Sequence, residues 1–378
     1  MKCCRGTWTP VSCLLMASCL LMALCRASPS GARDDPASGG RGERPTLRQR
    51  IKDRIQERLR GRRSAGAVSG DDSTPLPLEG DDIPRVPGTH RMSLQSGGRT
   101  RSFWLHLPTG YRPGERYPMV MVFHGGGGSG AQAQRSYRMN ELADEKGFIC
   151  VHPDGTGRFE SWLLVWNVGF ISSRHGGEVD DVAFVDELIG QLLTKVAADP
   201  GRVYATGMSN GAILSHHLAA RLPHRFAAIA PVAGTIGGRS SADSPLFTCP
   251  RPDQPVPILM IQGMADLNIP FEGGLQQKSF PGTRPERIMV SQADSIAFWL
   301  DANQCLPDGV QSLSQDGNVI RTEYSDRLGR LSVVTVHIRD GGHSWPGGEA
   351  SPLKVADPPS DRISANRVMW EFFQRYSR

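Results

Sequence analysis

Beyond its first 26 residues the chain is poor in cysteine, in net charge and in long apolar runs. Of eight cysteines, five stand at positions 3, 4, 13, 19 and 25, leaving Cys150, Cys249 and Cys305 for the body. At most one disulfide can form among three thiols. The formal net charge of +5 is carried ahead of the body: residues 1–26 hold +3 and residues 41–63 hold +7, so residues 80–378 sum to −1. A near-neutral body lacks the basic surface that binds phosphate backbones, and no nucleic-acid partner is expected. The apolar stretch 11–24 is short for a helix that crosses a membrane. There is no internal repeat.

The N-terminus carries the pattern of an export signal over residues 1–27. Lys2 and Arg5 precede the apolar stretch, and small residues surround Ala27 and Ser28. An uncleaved signal anchor is the competing reading. Met16-Ala17-Ser18-Cys19 resembles a lipoprotein cleavage site, but apolar residues continue past Cys19, which argues for a later cut. Export implies a secreted protein, extracellular or periplasmic, folded in an oxidising compartment. There Cys249 and Cys305, each in Pro-flanked loop sequence, are expected to pair. Cys150, inside the apolar run 148–151, is expected to be a buried free thiol.

Residues 28–88 read as disordered linker, rich in Gly, Ser, Pro and Asp. Within it, Leu47, Ile51, Ile55 and Leu59 place one apolar stripe on a short basic helix over 46–63. Such a helix can make weak contact with an anionic surface, or can simply be a solvated tether. The folded body is expected over 89–378.

Strands and helices alternate in that body. Residues 118–123, PMVMVF, form a continuous apolar run, as a strand covered on both faces does. Further strands are predicted at 101–107, 148–152, 203–206, 226–232, 257–262, 319–324 and 331–339. Helices are predicted at 131–146, 182–197 with Asp180 as N-cap, after 209 to about 221, 286–303 and 361–376. The alternation predicts an α/β fold with a mostly parallel central sheet and helices on both faces.

Gly207-Met208-Ser209-Asn210-Gly211 matches G-x-S-x-G between an apolar strand and a helix. The turn forces the serine into a strained backbone, so its neighbours must be small. The helix N-terminus behind it favours a developing negative charge. Ser209 is therefore the expected nucleophile. The loop His124-Gly125-Gly126-Gly127-Gly128-Ser129-Gly130 follows the buried strand and lets backbone approach a substrate closely. The amide of Asn210 and that of Gly126, with Gly127 the next choice, are the expected oxyanion donors. No Lys-Ser or Lys-Thr follows, as a phosphate loop requires. His124 is expected to be structural.

The order serine, acid, histidine then selects the partners. Five histidines precede Ser209, three lie on or just after its own helix, and His337 falls inside a strand. His343, in the loop Gly341-Gly342-His343-Ser344-Trp345-Pro346-Gly347-Gly348, remains as the expected base. Asp266, in the loop after strand 257–262, is the expected acid; Asp253 lies before that strand and Asp294 in a helix. Trp162, Trp166 and Trp345 are candidates to line a substrate pocket, although a tryptophan is more often core.

Taken together, HGGGGSG, YATGMSNGA, IQGMADLNIPFEGG and GGHSWPGG occur in the order found in the polyhydroxybutyrate depolymerase-like esterases, relatives of feruloyl and acetylxylan esterases. The stretch VHPDG at 151–155 and the Trp162/Trp166-Asn167 region are similar as well. The resemblance spans about 89–376. The chain departs in carrying Gly-Met-Ala-Asp where relatives often have His-Gly-Thr-Ala-Asp. The resemblance implies an α/β-hydrolase fold that cleaves carboxylic esters with no metal or cofactor. It also implies the triad Ser209, Asp266 and His343. A serine peptidase on the same fold and a non-catalytic polymer-binding protein are the alternatives.

Overall fold

A computed structural model describes residues 75–79, 83–157, 163–171, 179–278, 286–350 and 356–378. The expected signal at 1–27, the basic helix at 46–63 and Trp162 lie outside the described residues.

Among the described residues fifteen strands run in chain order as β1 (Leu76–Pro77), β2 (Gly88–Ser96), β3 (Arg99–Leu107), β4 (Tyr117–Phe123), β5 (Ile149–Pro153), β6 (Ala198–Met208), β7 (Ala228–Val232), β8 (Gly237–Arg239), β9 (Phe247–Thr248), β10 (Ile258–Gly263), β11 (Gly274–Leu275), β12 (Ile288–Met289), β13 (Val310–Leu313), β14 (Val319–Ser325) and β15 (Leu331–Ile338). The helices among the described residues are α1 (Gly130–Tyr137), α2 (Met139–Lys146), α3 (Asp181–Lys195), α4 (Asn210–Arg221), α5 (Gln292–Ala302) and α6 (Ala365–Phe373). No helix among the described residues is long and apolar enough to cross a membrane.

Eleven strands form one sheet in the order β1-β2-β3-β5-β4-β6-β7-β10-β15-β14-β13. From β5 to β15 every neighbouring pair is parallel, and antiparallel hairpins close the two sides. Alternation along the central strands sends side chains into two separate cores. Met119, Met121 and Phe123 of β4 join Phe184, Leu188, Leu214 and Trp299 from α3, α4 and α5. Val120 and Val122 join Tyr137, Leu142, Met369 and Phe373 from α1, α2 and α6. Both faces of these strands are therefore covered, which is why β4 is apolar at every position. The expected fold class is the observed one.

Three departures have local causes. The single helix expected over 131–146 is two, broken at Arg138, whose φ of 56° is left-handed. Its guanidinium offsets part of that strain through two bonds to Glu141, at 2.8 and 2.6 Å. The helix expected from 286 starts at 292, because Ile288–Met289 pairs as β12 and Ser291 caps α5. Leu78 is fully buried beside β2, so packing begins ahead of Thr89.

The expected Cys249–Cys305 disulfide is absent: both are free thiols, as is the buried Cys150. Cys249 follows β9 and gives its N–H to the Ile236 carbonyl. Cys305 follows α5, with its sulfur near the Tyr324 carbonyl of β14.

Candidate active site

The parallel strands β6, β10 and β15 end on the same side of the sheet, and the residues singled out in the sequence lie just past those ends. Ser209 follows β6 directly and adopts φ 57° and ψ −118°, a left-handed conformation that costs a non-glycine residue strain. Its N–H is held by the Val232 carbonyl at 3.0 Å and its carbonyl by the N–H of Ile213 at 3.0 Å. The small flanking residues are required. A Cβ on Gly207 would lie 2.7 Å from the Gly211 backbone, and one on Gly211 would meet the Phe123 and His124 carbonyl oxygens. Helix α4 starts at Asn210, so its unpaired N–H groups open beside the serine.

Asp266 and His343 meet because β10 and β15 are paired in register, with Gly263 opposite Ile338. Met264 donates to the Ile338 carbonyl and Ala265 to that of Gly341, zipping the two loops together. His343 Nδ1 lies 2.7 Å from Asp266 Oδ2, with side-chain exposures of 5% and 0%. Since a carboxylate at neutral pH only accepts, Nδ1 carries the proton and Nε2 is left with a lone pair. The other Asp266 oxygen accepts the N–H groups of Asn268 and Ile269, each at 2.8 Å. Gln262, at the place where relatives often carry histidine, donates to Asp266 Oδ2 at 3.2 Å and to the Ile269 carbonyl at 3.0 Å. The departure from the family pattern is thus filled by a group that still bonds the acid.

Ser209 and His343 line one cavity of about 950 Å³, together with Gly125–Gly128, Phe170, Ile171, Ile269 and Met289. A Cβ on Gly125 would come within 3.6 Å of Ser209 Cβ, and one on Gly126 within 3.6 Å of Asn210 Cβ, so the glycine loop lies against the serine turn. Gly127, the second choice of oxyanion donor, gives its N–H to the Leu164 carbonyl at 2.7 Å, so that donor is already taken. The Gly126 N–H has no such bond among the described residues.

His124 is structural, as expected. Nδ1 donates to the Gly125 carbonyl at 2.8 Å and Nε2 accepts the N–H of Gly155 at 3.0 Å. Burial lowers its pKa to about 4, keeping it neutral. Trp166 does not line the cavity, which corrects its assignment as a substrate contact. It is fully buried behind the glycine loop, where its indole N–H bonds the His124 carbonyl at 2.9 Å. Both backbone polar groups of Trp166 are taken by the Asn210 side chain. Trp345 does line the cavity, stacked at 4.2 Å on Tyr137.

Sequence reasoning missed three contributors. Tyr137, on α1, accepts the Gly125 N–H at 3.2 Å and faces the cavity. Asp357 bonds the His343 backbone. The four-stranded sheet β11-β12-β8-β9 supplies cavity residues such as Met289. Its strands are two or three residues long and show no readable periodicity.

The strand order, the strained serine at the strand-to-helix turn and the histidine–aspartate pair define an α/β-hydrolase. The chain belongs to the esterase PHB depolymerase family, whose model matches residues 101–309, and it is a carboxylic ester hydrolase. That match takes in Ser209 and Asp266 and ends ahead of His343. Among related proteins, "Putative esterase NocK" of Nocardia uniformis subsp. tsuyamanensis is 31% identical over 262 residues, covering 66% of this chain and 72% of that one. Feruloyl esterase C of Emericella nidulans is 26% identical over 280 residues, covering 72% and 83%. Feruloyl esterase B of Piromyces equi is 27% identical over 249 residues, covering 66% of this chain and 44% of that one.

Proposed function

We propose that the protein is a secreted serine esterase working through an acyl-serine intermediate. The observation that carries this reading is the 2.7 Å bond from His343 Nδ1 to Asp266, in a cavity that Ser209 also lines. Ser209 Oγ attacks the ester carbonyl carbon as His343 Nε2 takes its proton. The amides of Gly126 and Asn210 hold the oxyanion. The carbon–oxygen bond to the alcohol breaks, and His343 returns the proton to the departing oxygen. Water, deprotonated by His343, then attacks the acyl-serine, releasing the acid and restoring the hydroxyl. Asp266 fixes the tautomer throughout and stabilises the imidazolium.

The substrate class is esters of hydroxybutyrate oligomers, or feruloyl or acetyl esters of plant polysaccharide. Support comes from the family and from the feruloyl esterases among the relatives. Export rests on Lys2, Arg5 and the apolar stretch that follows. A fluorophosphonate probe with peptide mapping is the test. We expect a single labelled site at Ser209 and loss of nearly all turnover in Ser209→Ala; retained turnover in that variant would refute the mechanism. Rates on methyl ferulate, hydroxybutyrate oligomers and acetylated xylan then rank the substrates. Amide cleavage exceeding all three would favour a peptidase.

A further inference from the structure

Asp266 is not the sole carboxylate that reaches His343. Asp357, on a Pro-flanked loop further along the chain, holds the histidine from the backbone side. Its Oδ2 accepts the His343 N–H at 2.8 Å, and its own N–H donates to the His343 carbonyl at 2.9 Å. One residue therefore fixes both backbone polar groups of the histidine. The approach is possible because residue 342 is glycine: a Cβ there would lie 2.5 Å from Asp357 Oδ2.

The other Asp357 oxygen is held by Lys278 Nζ at 2.6 Å. Lys278 belongs to the loop of the acid, since its N–H bonds the Leu267 carbonyl at 2.9 Å and its carbonyl accepts from the Asn268 side chain at 3.3 Å. The acid loop and the base loop are thus joined twice, once through Asp266 and His343 and again through Lys278 and Asp357. Burial pulls the Asp357 carboxyl up, but Lys278 and the His343 N–H outweigh it and hold the group below its usual range. At neutral pH Asp357 is therefore an anion next to the histidine.

We propose that Asp357 is a positioning residue for His343, fixing the imidazole through its backbone and adding a second negative charge that Lys278 partly neutralises. The inference rests on His343 being the general base. The charged groups facing His343 are Asp266 at Nδ1, Asp357 at the backbone and Lys278 behind Asp357; Glu286, Arg287 and Glu349 line the same cavity.

The test uses the full chain and the pH profile of kcat/KM on a small chromogenic ester, whose acid limb reports the base in the free enzyme. In Asp357→Ala we expect kcat to fall on the order of tenfold to a hundredfold with KM little changed, as misplacement of a reacting group does. Asp357→Asn keeps an acceptor for the His343 N–H but removes the charge, so the acid limb moves to lower pH. Lys278→Met leaves the carboxylate unneutralised, so the limb moves to higher pH. Each displacement is expected to be about half to one pH unit. Opposite movement is the signature, because a merely structural staple would weaken both variants without displacing the limb in opposite directions. Limbs that stay in place in both charge variants, or a kcat loss no larger than the loss of folded protein, overturn the proposal. If Asp357→Ala does not fold, the two charge variants still decide it. Ser209→Ala and His343→Ala are run alongside. Wild-type turnover in either ends the catalytic reading and this inference with it; two inactive controls beside unmoved Asp357 and Lys278 variants end this inference alone.

Discussion

The side-chain amide of Asn210 closes on the backbone of Trp166 from both sides, accepting its N–H at 2.7 Å and donating to its carbonyl at 3.1 Å. One residue thus has two separate jobs. Its backbone N–H is the proposed oxyanion donor, while its side chain pins the segment that supports the glycine loop from behind. Asn210→Ala keeps the first and removes the second. Two buried backbone groups lose their partners, so we expect a loss of about 2 kcal/mol in urea unfolding. Trp166 also buttresses the His124 carbonyl, so the oxyanion loop loosens and kcat should fall more than KM rises. A variant with unchanged stability would show that the Trp166 backbone finds other partners.

A second support lies deeper. Arg101 and Asp181 form an ion pair at 2.6 Å with side-chain exposures of 4% and 0%, and the guanidinium also lies 3.8 Å over the Phe184 ring. Asp181 in turn accepts the Asn167 N–H at 2.7 Å, next to Trp166. Arg101→Ala strands a buried carboxylate, and we expect a cost of about 3 to 5 kcal/mol. Arg101→Met combined with Asp181→Leu should recover much of it, since the Asp181 carboxylate is no longer left without its partner. Equal destabilisation in the single and double variants would mean that packing on Phe184, rather than charge, dominates.

Burial also sets the response to acid. It lowers the pKa of His124 and His337 to about 4 and of His152, His216 and His217 to about 3. Above pH 6.5 these rings are neutral whether the chain is folded or not, and they contribute nothing. Below it the unfolded chain takes up protons that the folded chain refuses, so stability falls with pH by about 1.4 kcal/mol per unit for each ring. Asp154 and Asp181 act oppositely, because burial raises both, and acid relieves their penalty only below their raised folded values. Burial lowers His106 too, so six rings stand against two carboxyls and make the histidines decisive, and we expect acid unfolding with a midpoint between about pH 4 and pH 6. His217 stacks on Phe247 with its Nε2 unpartnered among the described residues, so His217→Phe should lower that midpoint. Stability that is flat from pH 7 to pH 4 would contradict the account.

What could be read from the sequence follows from the strength of the physical constraint at each residue. PMVMVF in β4, bounded by turn signals, reads as a strand buried on both faces, and Ser209 sits in a turn that only small neighbours allow. Asp266 and His343 could be found because chain order and loop position left few rivals. Arg138 could not, since a left-handed arginine inside MNELADEK-like helical sequence carries no local mark. Trp166 failed for a different reason: a loop tryptophan fits a pocket or a core equally well until its neighbours are known. Asp357 acts through a backbone bond to a residue well before it in the chain, a relation that no spacing rule describes.

The same limit explains the cysteines, and they give the most direct check on the correction. Cys249 and Cys305 are free, and desolvation raises the Cys249 thiol to about 12, while the partly buried Cys305 thiol is also raised by burial. A thiol at such values is almost wholly protonated at neutral pH and is a poor nucleophile. In the native protein, prepared without reductant, we therefore expect slow alkylation at Cys249, with Cys305 the faster of the two because it is less buried. After denaturation Cys150, Cys249 and Cys305 should each take one alkyl group, read by mass, without prior reduction. Adding reductant should leave the melting temperature unchanged, whereas removing a native disulfide typically costs about 2 to 5 kcal/mol. If the denatured protein alkylates only Cys150 until reductant is added, the bond expected from the export signal forms after all, and the loops bearing Cys249 and Cys305 must move together to make it.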